Sequence, residues 1–387
     1  MKYQLSNNTW DEKELDAIQR VINSRMYSMG KEVLAFEKAF AVKIGMKYAV
    51  MSNSGSSANL LAIAALVYSG TLNPGDEVIV PAVSWSTTFF PISQFNLKLR
   101  FVDIDKYTLN IDLDQLEVAI TSSTKAVFAV NLLGNPNDYI RMKKICEAHG
   151  LILIEDNCEA LGGSFGGQQL GTFGKLGTFS TFYSHHICTM EGGVTVTNDE
   201  ILYHHMLSIR AHGWTRNLPH DSPIYKKNED DFYESFNFIL PGFNVRPLEI
   251  EGAIGFEQLK KIDSIISQRR ANADHFMKKV SSFNGIRSQL ETGISSWFGF
   301  ALVLEKCIGA RRNVIVKKLK ESGIEVRPIV AGNFTRNKVI SFLDYSIYGR
   351  LDNADDIHEN GFMVGNHSRS NIEEINYLFS ILEGELW

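Results

Sequence analysis

The chain has 387 residues, 44% of them hydrophobic and 21% charged, with 39 Lys+Arg against 44 Asp+Glu for a net charge of −5. That balance describes a globular protein with room for two domains, and the absence of a basic stripe argues against a nucleic-acid partner. The first residues, M-K-Y-Q-L-S-N-N-T-W, carry no apolar leader, and the most apolar stretch, residues 60–67, is too short to cross a bilayer. Cys146, Cys158, Cys188 and Cys307 are scattered. They fit no disulfide framework, no C-x-x-C metal site and no iron–sulfur pattern, so a reducing cytoplasm is expected.

Residues 9–12, T-W-D-E, read as a capping box opening a helix whose Leu15, Ile18, Val21 and Ile22 share a face. A second helix, 31–44, carries Val33, Phe36, Phe40 and Ile44 and stops at Gly45. A strand at 48–52 runs into N-S-G-S-S-A-N at 53–59 and a helical run at 60–68. Strand, small-residue turn and helix N-terminus together form a phosphate cradle, although a plain Ser/Gly cap looks the same in sequence. Alternation follows: strands at 77–82, 98–103, 125–132 and 151–155, helices at 86–95 (broken by Pro91), 111–120 and 139–149. V-F-A-V-N-L and L-I-L-I-E are continuous apolar runs, as in a sheet covered on both faces. The βαβ pattern argues for a largely parallel α/β domain, with ligands at the carboxyl ends of its strands. A helix at 201–211 leads into H-G-W-T-R, an aperiodic stretch, then P-G-F-N-V-R at 241–246 and one long helix from 248 to about 280. Beyond lie a strand at 297–304, a helix at 311–320, a strand at 325–330 and a last helix near 372–382. The expected division is a large domain, 1–265, and a small one, 266–387.

The chemistry concentrates in T-F-S-T-F-Y-S-H-H-I-C-T-M-E-G-G, residues 178–193. A β-rich run, 178–184, ends in His185 and His186; Ser180 lies five residues before His185, and Glu191, Gly192 and Gly193 begin six after it. Adjacent residues on a strand face opposite ways, so the two histidines are not expected to share a metal ion. No G-x-S-x-G elbow supports a hydrolase. Asp156 follows an apolar strand, where a carboxylate suits a buried cation or merely caps a helix. Trp85 follows another strand and either stacks on a ligand ring or belongs to the core. Arg246, beside Asn244 in G-F-N-V-R, offers a fork for a carboxylate or pyrophosphate, and Arg327 is similar in kind.

The motifs S-G-S-S-A-N-L-L, V-P-A-V-S-W-S-T-T, L-G-N-P-N, E-D-N-C-E, F-Y-S-H-H-I-x-T-M-E-G-G, I-R-A-H-G-W-T-R-N-L-P and N-V-R-P-L-E run through the whole chain. Together they resemble the fold-type I, sugar-modifying DegT/DnrJ/StrS aminotransferase family. The resemblance implies a large domain with a mixed, mostly parallel sheet between helices, a smaller C-terminal α/β domain, and pyridoxal 5'-phosphate (PLP) or pyridoxamine 5'-phosphate (PMP) as cofactor. In that family a lysine stands five residues after the serine and anchors the cofactor covalently. Here that position is His185, the substitution that separates the family's dehydratases from its aminotransferases. By the same likeness Gly55, Ser56, Ser57, Ser180 and Asn244 hold the phosphate, Asn244 being supplied across a homodimer interface. Trp85 stacks on the ring, and Asp156, 29 positions before His185, keeps the pyridine nitrogen protonated. His185 is the expected general base, with His186 its competitor by a one-residue shift and His212 a second proton-handling candidate. Arg246 and Arg327 are expected on the substrate. The implied reaction removes the 3-hydroxyl from a nucleotide-linked 4-keto-6-deoxyhexose, GDP-4-keto-6-deoxy-D-mannose being the expected substrate. Glutamate recharges the cofactor and ammonia is released, in colitose-type deoxysugar biosynthesis for lipopolysaccharide O-antigen. The scattered cysteines argue against an iron–sulfur variant. A nucleotide-sugar aminotransferase would need a lysine at 185, and an inactive PLP-fold binding protein would have no use for Asp156, Ser180 and Asn244.

Overall fold

The computed structural model describes residues 2–305 and 311–386, so Cys307 lies outside the described residues. Short apolar runs form the strands β1 (Tyr48–Ser52), β2 (Glu77–Pro81), β3 (Lys98–Val102), β4 (Thr124–Val130), β5 (Ile152–Asp156), the small hairpin β6 (Ser164–Phe165) and β7 (Gln168–Gln169), β8 (Leu176–Ser180) and β9 (Gly193–Thr197). Later strands are β10 (Ile286–Arg287), β11 (Gly299–Leu304), β12 (Tyr345–Ile347) and β13 (Gly361–Gly365). One eight-stranded sheet has the order β1-β9-β8-β5-β4-β2-β3-β12. Only β9 runs against the rest, pairing antiparallel with β1 and β8. A second, three-stranded sheet has the order β10-β11-β13 and is antiparallel.

Helices α1 (Glu12–Ser24), α2 (Lys31–Ile44), α3 (Gly55–Tyr68), α4 (Ser86–Gln94), α5 (Leu113–Ala119), α6 (Tyr139–His149) and α7 (Glu200–Ile209) alternate with the strands. Then come α8 (Asp231–Glu234), α9 (Glu249–Leu259), α10 (Ile262–Ser281), α11 (Arg312–Glu321), α12 (Asp352–Asn360) and α13 (Ile372–Leu386). The mixed, mostly parallel α/β fold expected from the strand runs is present. Helix α3 is apolar all round and buries Ala58 and the 61–66 run, as suits a helix enclosed by sheet and neighbouring helices. In the smaller unit Phe276 of α10 stacks on Phe300 of β11 with centroids 4.2 Å apart, and Leu378 and Phe379 of α13 share that core. No described helix is long and apolar enough to cross a membrane.

Several local expectations change. The capping box of α1 is built from Asp11 and Glu14, not from Thr9 and Glu12. Its buried face is Glu14, Ala17 and Val21, while Leu15 and Ile22 are exposed. Buried Glu14 is the reason: it accepts from Gln258 and Lys261, both at 2.7 Å, and so turns that face inward against α9. The single long helix is two, α9 and α10, parted at Lys260 and Lys261. Pro91 sits inside an unbroken α4. Residues 325–330 form no strand; a lone bridge joins Arg327 to Met363. The expected boundary at 265/266 falls inside α10, and the chain recrosses it at β12, which extends the large sheet beside β3. The N-terminus crosses the other way: the Tyr3 hydroxyl donates to Gly365 at 2.6 Å, and its ring lies in the small unit's core.

The α2 N-terminus begins at Gly30, which has no capping side chain. Glu249, at the start of α9, supplies the missing acceptor to the N–H groups of Gly30 (2.6 Å), Glu32 (2.7 Å) and Val33 (3.3 Å). A remote carboxylate thus satisfies the helix end and its dipole. Glu249→Ala removes the acceptor those donors share, and chemical denaturation should show a loss of about 1–2 kcal/mol.

Candidate active site

The end of β1 is pinned first. The Met51 N–H donates to Glu37 at 2.7 Å, and Arg210, itself paired with Glu37, donates to the Met51 carbonyl at 2.6 Å. The chain then turns, and Ser54 caps α3 by accepting from the Ser57 N–H at 3.1 Å. The N–H groups that open α3, at Gly55 and Ser56, have no helical acceptor and face a site suited to an anion. A Cβ on Gly55 would lie 2.6 Å from the Ser180 Cβ, so glycine lets the helix start close against the Ser180 hydroxyl. At Gly193 a Cβ would meet the Ser54 carbonyl oxygen at 2.2 Å, which explains the glycine that opens β9.

Asp156 ends β5 and is 5% exposed. Its Oδ2 accepts from Asn59 Nδ2 of α3 at 2.9 Å and Thr88 Oγ1 of α4 at 2.8 Å. Its Oδ1 accepts from the Cys158 N–H at 3.1 Å. Thr178, opposite Asp156 in the β5–β8 ladder, donates to Asn59 at 2.6 Å. One turn before Thr88, Trp85 stands at the N-cap position of α4 without a side-chain capping bond and is 59% exposed, so it is not a core residue. Three site residues escaped the motif reading. Asn59 and Thr88 sit within quoted motifs but were indistinguishable from ordinary helix residues. Glu159, three residues past Asp156, is half-buried: desolvation pushes its carboxyl up to about 7, with the Leu133 N–H opposing and the Asp156 charge adding.

The histidines are not on a strand. β8 stops at Ser180, and residues 181–190 form a loop closed by Thr181 and Thr189, whose hydroxyls are 2.5 Å apart. The Cys188 N–H donates to Gln258 at 3.1 Å, and its carbonyl accepts from the Trp10 indole at 2.9 Å. Opposite-face alternation therefore does not separate the pair, because both rings pack against Phe298, with centroids 5.1 Å (His185) and 5.9 Å (His186) away. Hydrogen bonding separates them instead. His186 is fully buried with Nε2 3.1 Å from the Ser296 carbonyl, whereas His185 is half-buried; the Nδ1 of both rings has no partner. Burial, and then the nearby Arg269 guanidinium, pull the His185 imidazole down to about 4 against the Phe182 carbonyl. It is neutral, and able to accept a proton, at pH 7.

His212, Asn244 and Arg246 form a second group. His212 has φ +64°, donates its N–H to Phe243 at 2.7 Å and lies 4.9 Å from the Trp214 ring. Asn244 bridges Ala211 and accepts from Arg246 Nε at 3.0 Å, with the Arg246 guanidinium 5.7 Å over Trp214. The Val245 carbonyl accepts the Asn53 N–H at 3.0 Å, which seats this group beside the turn into α3. Gly55, Ser56, Ser57, Trp85, Asp156 and Ser180 are thus brought to one end of the sheet, with the histidine loop leaving from Ser180. Arg327 is exposed beside β13, with no hydrogen bond to either group among the described residues. Nor do the described residues contain a cluster of three His, Cys, Asp or Glu able to hold a metal ion.

The chain is 57% identical to the GDP-4-keto-6-deoxy-D-mannose 3-dehydratase of Yersinia pseudotuberculosis, over 99% of this chain and 98% of that one. A GDP-4-keto-6-deoxymannose-3-dehydratase solved with a trapped PLP–glutamate geminal diamine superposes with a TM-score of 0.97 at 52% identity, covering 98% of this chain and 100% of that one. A variant of that enzyme, with an adjacent serine and histidine replaced by asparagine and lysine, gives a TM-score of 0.95 at 52% identity over 97% of this chain and 100% of that one. The model of the DegT/DnrJ/EryC1/StrS aminotransferase family matches residues 8–383. With its strand-end aspartate, helix-start serines and E-G-G turn in place along that whole length, the chain belongs to the DegT/DnrJ/EryC1/StrS aminotransferase family.

Proposed function

We propose that this protein is a PLP/PMP-dependent 3-dehydratase of a nucleotide-linked 4-keto-6-deoxyhexose, GDP-4-keto-6-deoxy-D-mannose being the substrate its relatives name. The observation that carries the reading is His185: the serine turn and Asp156 are in place, but a neutral imidazole stands where the family has its anchoring lysine. Lys175 does not replace it, since it precedes β8 and pairs with Asp199 at 2.8 Å. The residues present fit the cofactor, because Gly55 leaves room for the Ser180 hydroxyl beside the unpaired N–H groups of α3. When bound, PMP supplies an amine for the sugar's 4-keto carbon and a ring that accepts electrons.

Ser180, Ser56, Ser57 and the first N–H groups of α3 bind the phosphate, and Trp85 covers the ring. Asp156, fixed by Asn59, Thr88 and Cys158, holds the proton on the pyridine nitrogen. His185 accepts the proton from the cofactor's methylene carbon. It returns that proton to the sugar's departing 3-hydroxyl, which leaves as water. Two observations support His185 over His186. The Ser296 carbonyl already occupies the His186 ring. The relative's variant alters an adjacent Ser–His pair, and the chain's one Ser–His step is Ser184–His185. Glutamate as amino donor rests on the relative trapped with it.

A cytoplasmic homodimer completes the reading. Leu15, Ile22, Met26 and Tyr27 are exposed on α1 and the turn after it, an apolar patch suited to a second copy. Asn244 is the residue this arrangement would share between subunits, and Arg246, Arg327 and His212 are assigned to substrate and proton handling on family likeness.

Incubation with GDP-4-keto-6-deoxy-D-mannose and glutamate, followed by mass spectrometry, should show loss of the 3-hydroxyl oxygen and release of ammonia; an aminated sugar would establish transamination instead. His185→Asn should lower dehydration by about 10²–10⁴-fold while still retaining PMP by absorbance. His185→Lys should trap PLP covalently, with absorption at longer wavelength, and stop the cycle. Normal turnover in His185→Asn with loss in His186→Asn would move the base to His186. Asp156→Asn, isosteric but with one acceptor oxygen in place of two, should lose turnover far more than it lowers the melting temperature; equal turnover would remove Asp156 from the chemistry. Analytical ultracentrifugation should find two chains per active particle, and a fully active monomer would refute sharing of Asn244.

A further inference from the structure

Arg269 of α10 is the bulkiest of the fully buried side chains, at 2% exposure. A buried guanidinium normally faces a carboxylate, because an uncompensated charge is costly away from water. Arg269 faces none: burial alone pulls it down to about 10, with no acidic neighbour acting on it. Its Nη1 donates to the carbonyls of Phe298 (3.0 Å) and Trp297 (3.4 Å), and its Nε has no partner. Trp297 stands at φ +49°, a left-handed conformation unfavourable for a tryptophan. Other residues brace the same segment: Asn366 donates to the Trp297 carbonyl at 2.8 Å and Arg270 to the Ser295 carbonyl at 2.9 Å. Phe298, held in this way, is the ring on which both histidines rest.

We propose that Arg269 is a positioning residue for the dehydration: it sets the Phe298 shelf beneath His185 and places a fixed positive charge beside that imidazole. The proposal rests on the reading of His185 as the base. Its physical purpose follows from the charges a dehydratase must bind. A cofactor phosphate and a nucleotide diphosphate bring negative charge into the site and favour imidazolium, which cannot accept a proton. A permanent cation behind the histidine offsets them. It also loosens the proton once taken, so that His185 passes it on to the departing 3-hydroxyl. Among charged and titratable groups, Arg269 of α10 acts on both histidines, and Arg270 and His185 act on His186; His367, past β13, lies in the same Arg269 field. His185 is lower folded, at about 4, than its usual value of about 6.5 unfolded. Its contribution to stability is therefore complete above the unfolded value and is lost as pH falls towards 4, because there the unfolded chain binds the proton first.

The test is an NMR titration of the His185 ring in the full-length protein, with and without PMP, assigned by the signal missing in His185→Asn. Arg269→Gln should raise the His185 titration midpoint by on the order of one pH unit, and the acid limb of kcat/KM should rise with it. Arg269→Lys keeps the charge and loses the fork, so the midpoint should stay low while kcat falls. An unchanged midpoint in folded Arg269→Gln overturns the proposal. Should that variant fail to fold, Arg269→Lys decides through turnover: a fall in kcat with the midpoint held low supports the proposal, and an unchanged kcat refutes it. A wild-type protein that does not dehydrate its substrate would defeat the functional reading alone, since the titration reports on Arg269 without turnover.

Discussion

Asp156 accepts from Asn59 of α3, from Thr88 of α4 and from the backbone at Cys158. Among the described residues it has no ion-pair partner, so these three donors carry the whole burden of satisfying a buried carboxylate. The requirement fixes more than one side chain. It draws the starts of α3 and α4 to the end of β5, and with them the serine turn and the Trp85 ring. Thr178 extends the network into β8 by donating to Asn59, so the strand that delivers Ser180 is registered to the same carboxylate. The N-termini of two helices and the carboxyl ends of parallel strands thereby meet in one place, where open α/β sheets bind ligands.

The histidine loop solves a different problem. A lysine on a long stem can reach a cofactor from many backbone positions, whereas an imidazole must be delivered by its backbone. The loop is accordingly held at several points: Thr181 to Thr189 across its neck, and Gln258 and Trp10 on either side of Cys188. His186 is tied to the Ser296 carbonyl and fully buried, while its neighbour is half-exposed. Two adjacent and chemically identical residues thus sit in separate environments, one tied and enclosed, the other half-exposed.

The parallel sheet was legible because strands covered on both faces are continuous apolar runs, and those runs appear in chain order. Asp156 and Ser180 were legible through their distances from His185. Other features depend on partners far along the chain. The break between α9 and α10 has no glycine or proline to announce it; Lys261 is held there by Asp11 at 2.8 Å and Glu14 at 2.7 Å. Burial of Glu14 likewise turned Leu15 and Ile22 outward, against their apolar character. The histidines were assigned to a strand because T-F-S-T-F-Y-S is β-rich, but the Thr181–Thr189 closure ends the ladder at Ser180. Nothing in R-R-A-N-A distinguishes Arg269, buried without an acid, from a surface arginine of an amphipathic helix. A boundary drawn once could not anticipate a chain that crosses back at β12.

Tyr3 lies in a core whose other members come mostly from residues beyond 270, and its hydroxyl bonds a residue 362 positions away. Trp10 and Glu14, a few residues on, reach Cys188, Gln258 and Lys261. During synthesis residues 3–14 therefore leave the ribosome long before their partners and are among the last to find their place. The large sheet can pair as its strands emerge, but the indole that holds the histidine loop has its own anchors only once α9 and α10 are made, and Tyr3 waits for β13 and α13. Closing so long a loop is entropically slow compared with the local βαβ pairings. The histidine loop is thus ordered by the completion of the chain, and a nascent polypeptide can hold a folded sheet before it holds that loop in place.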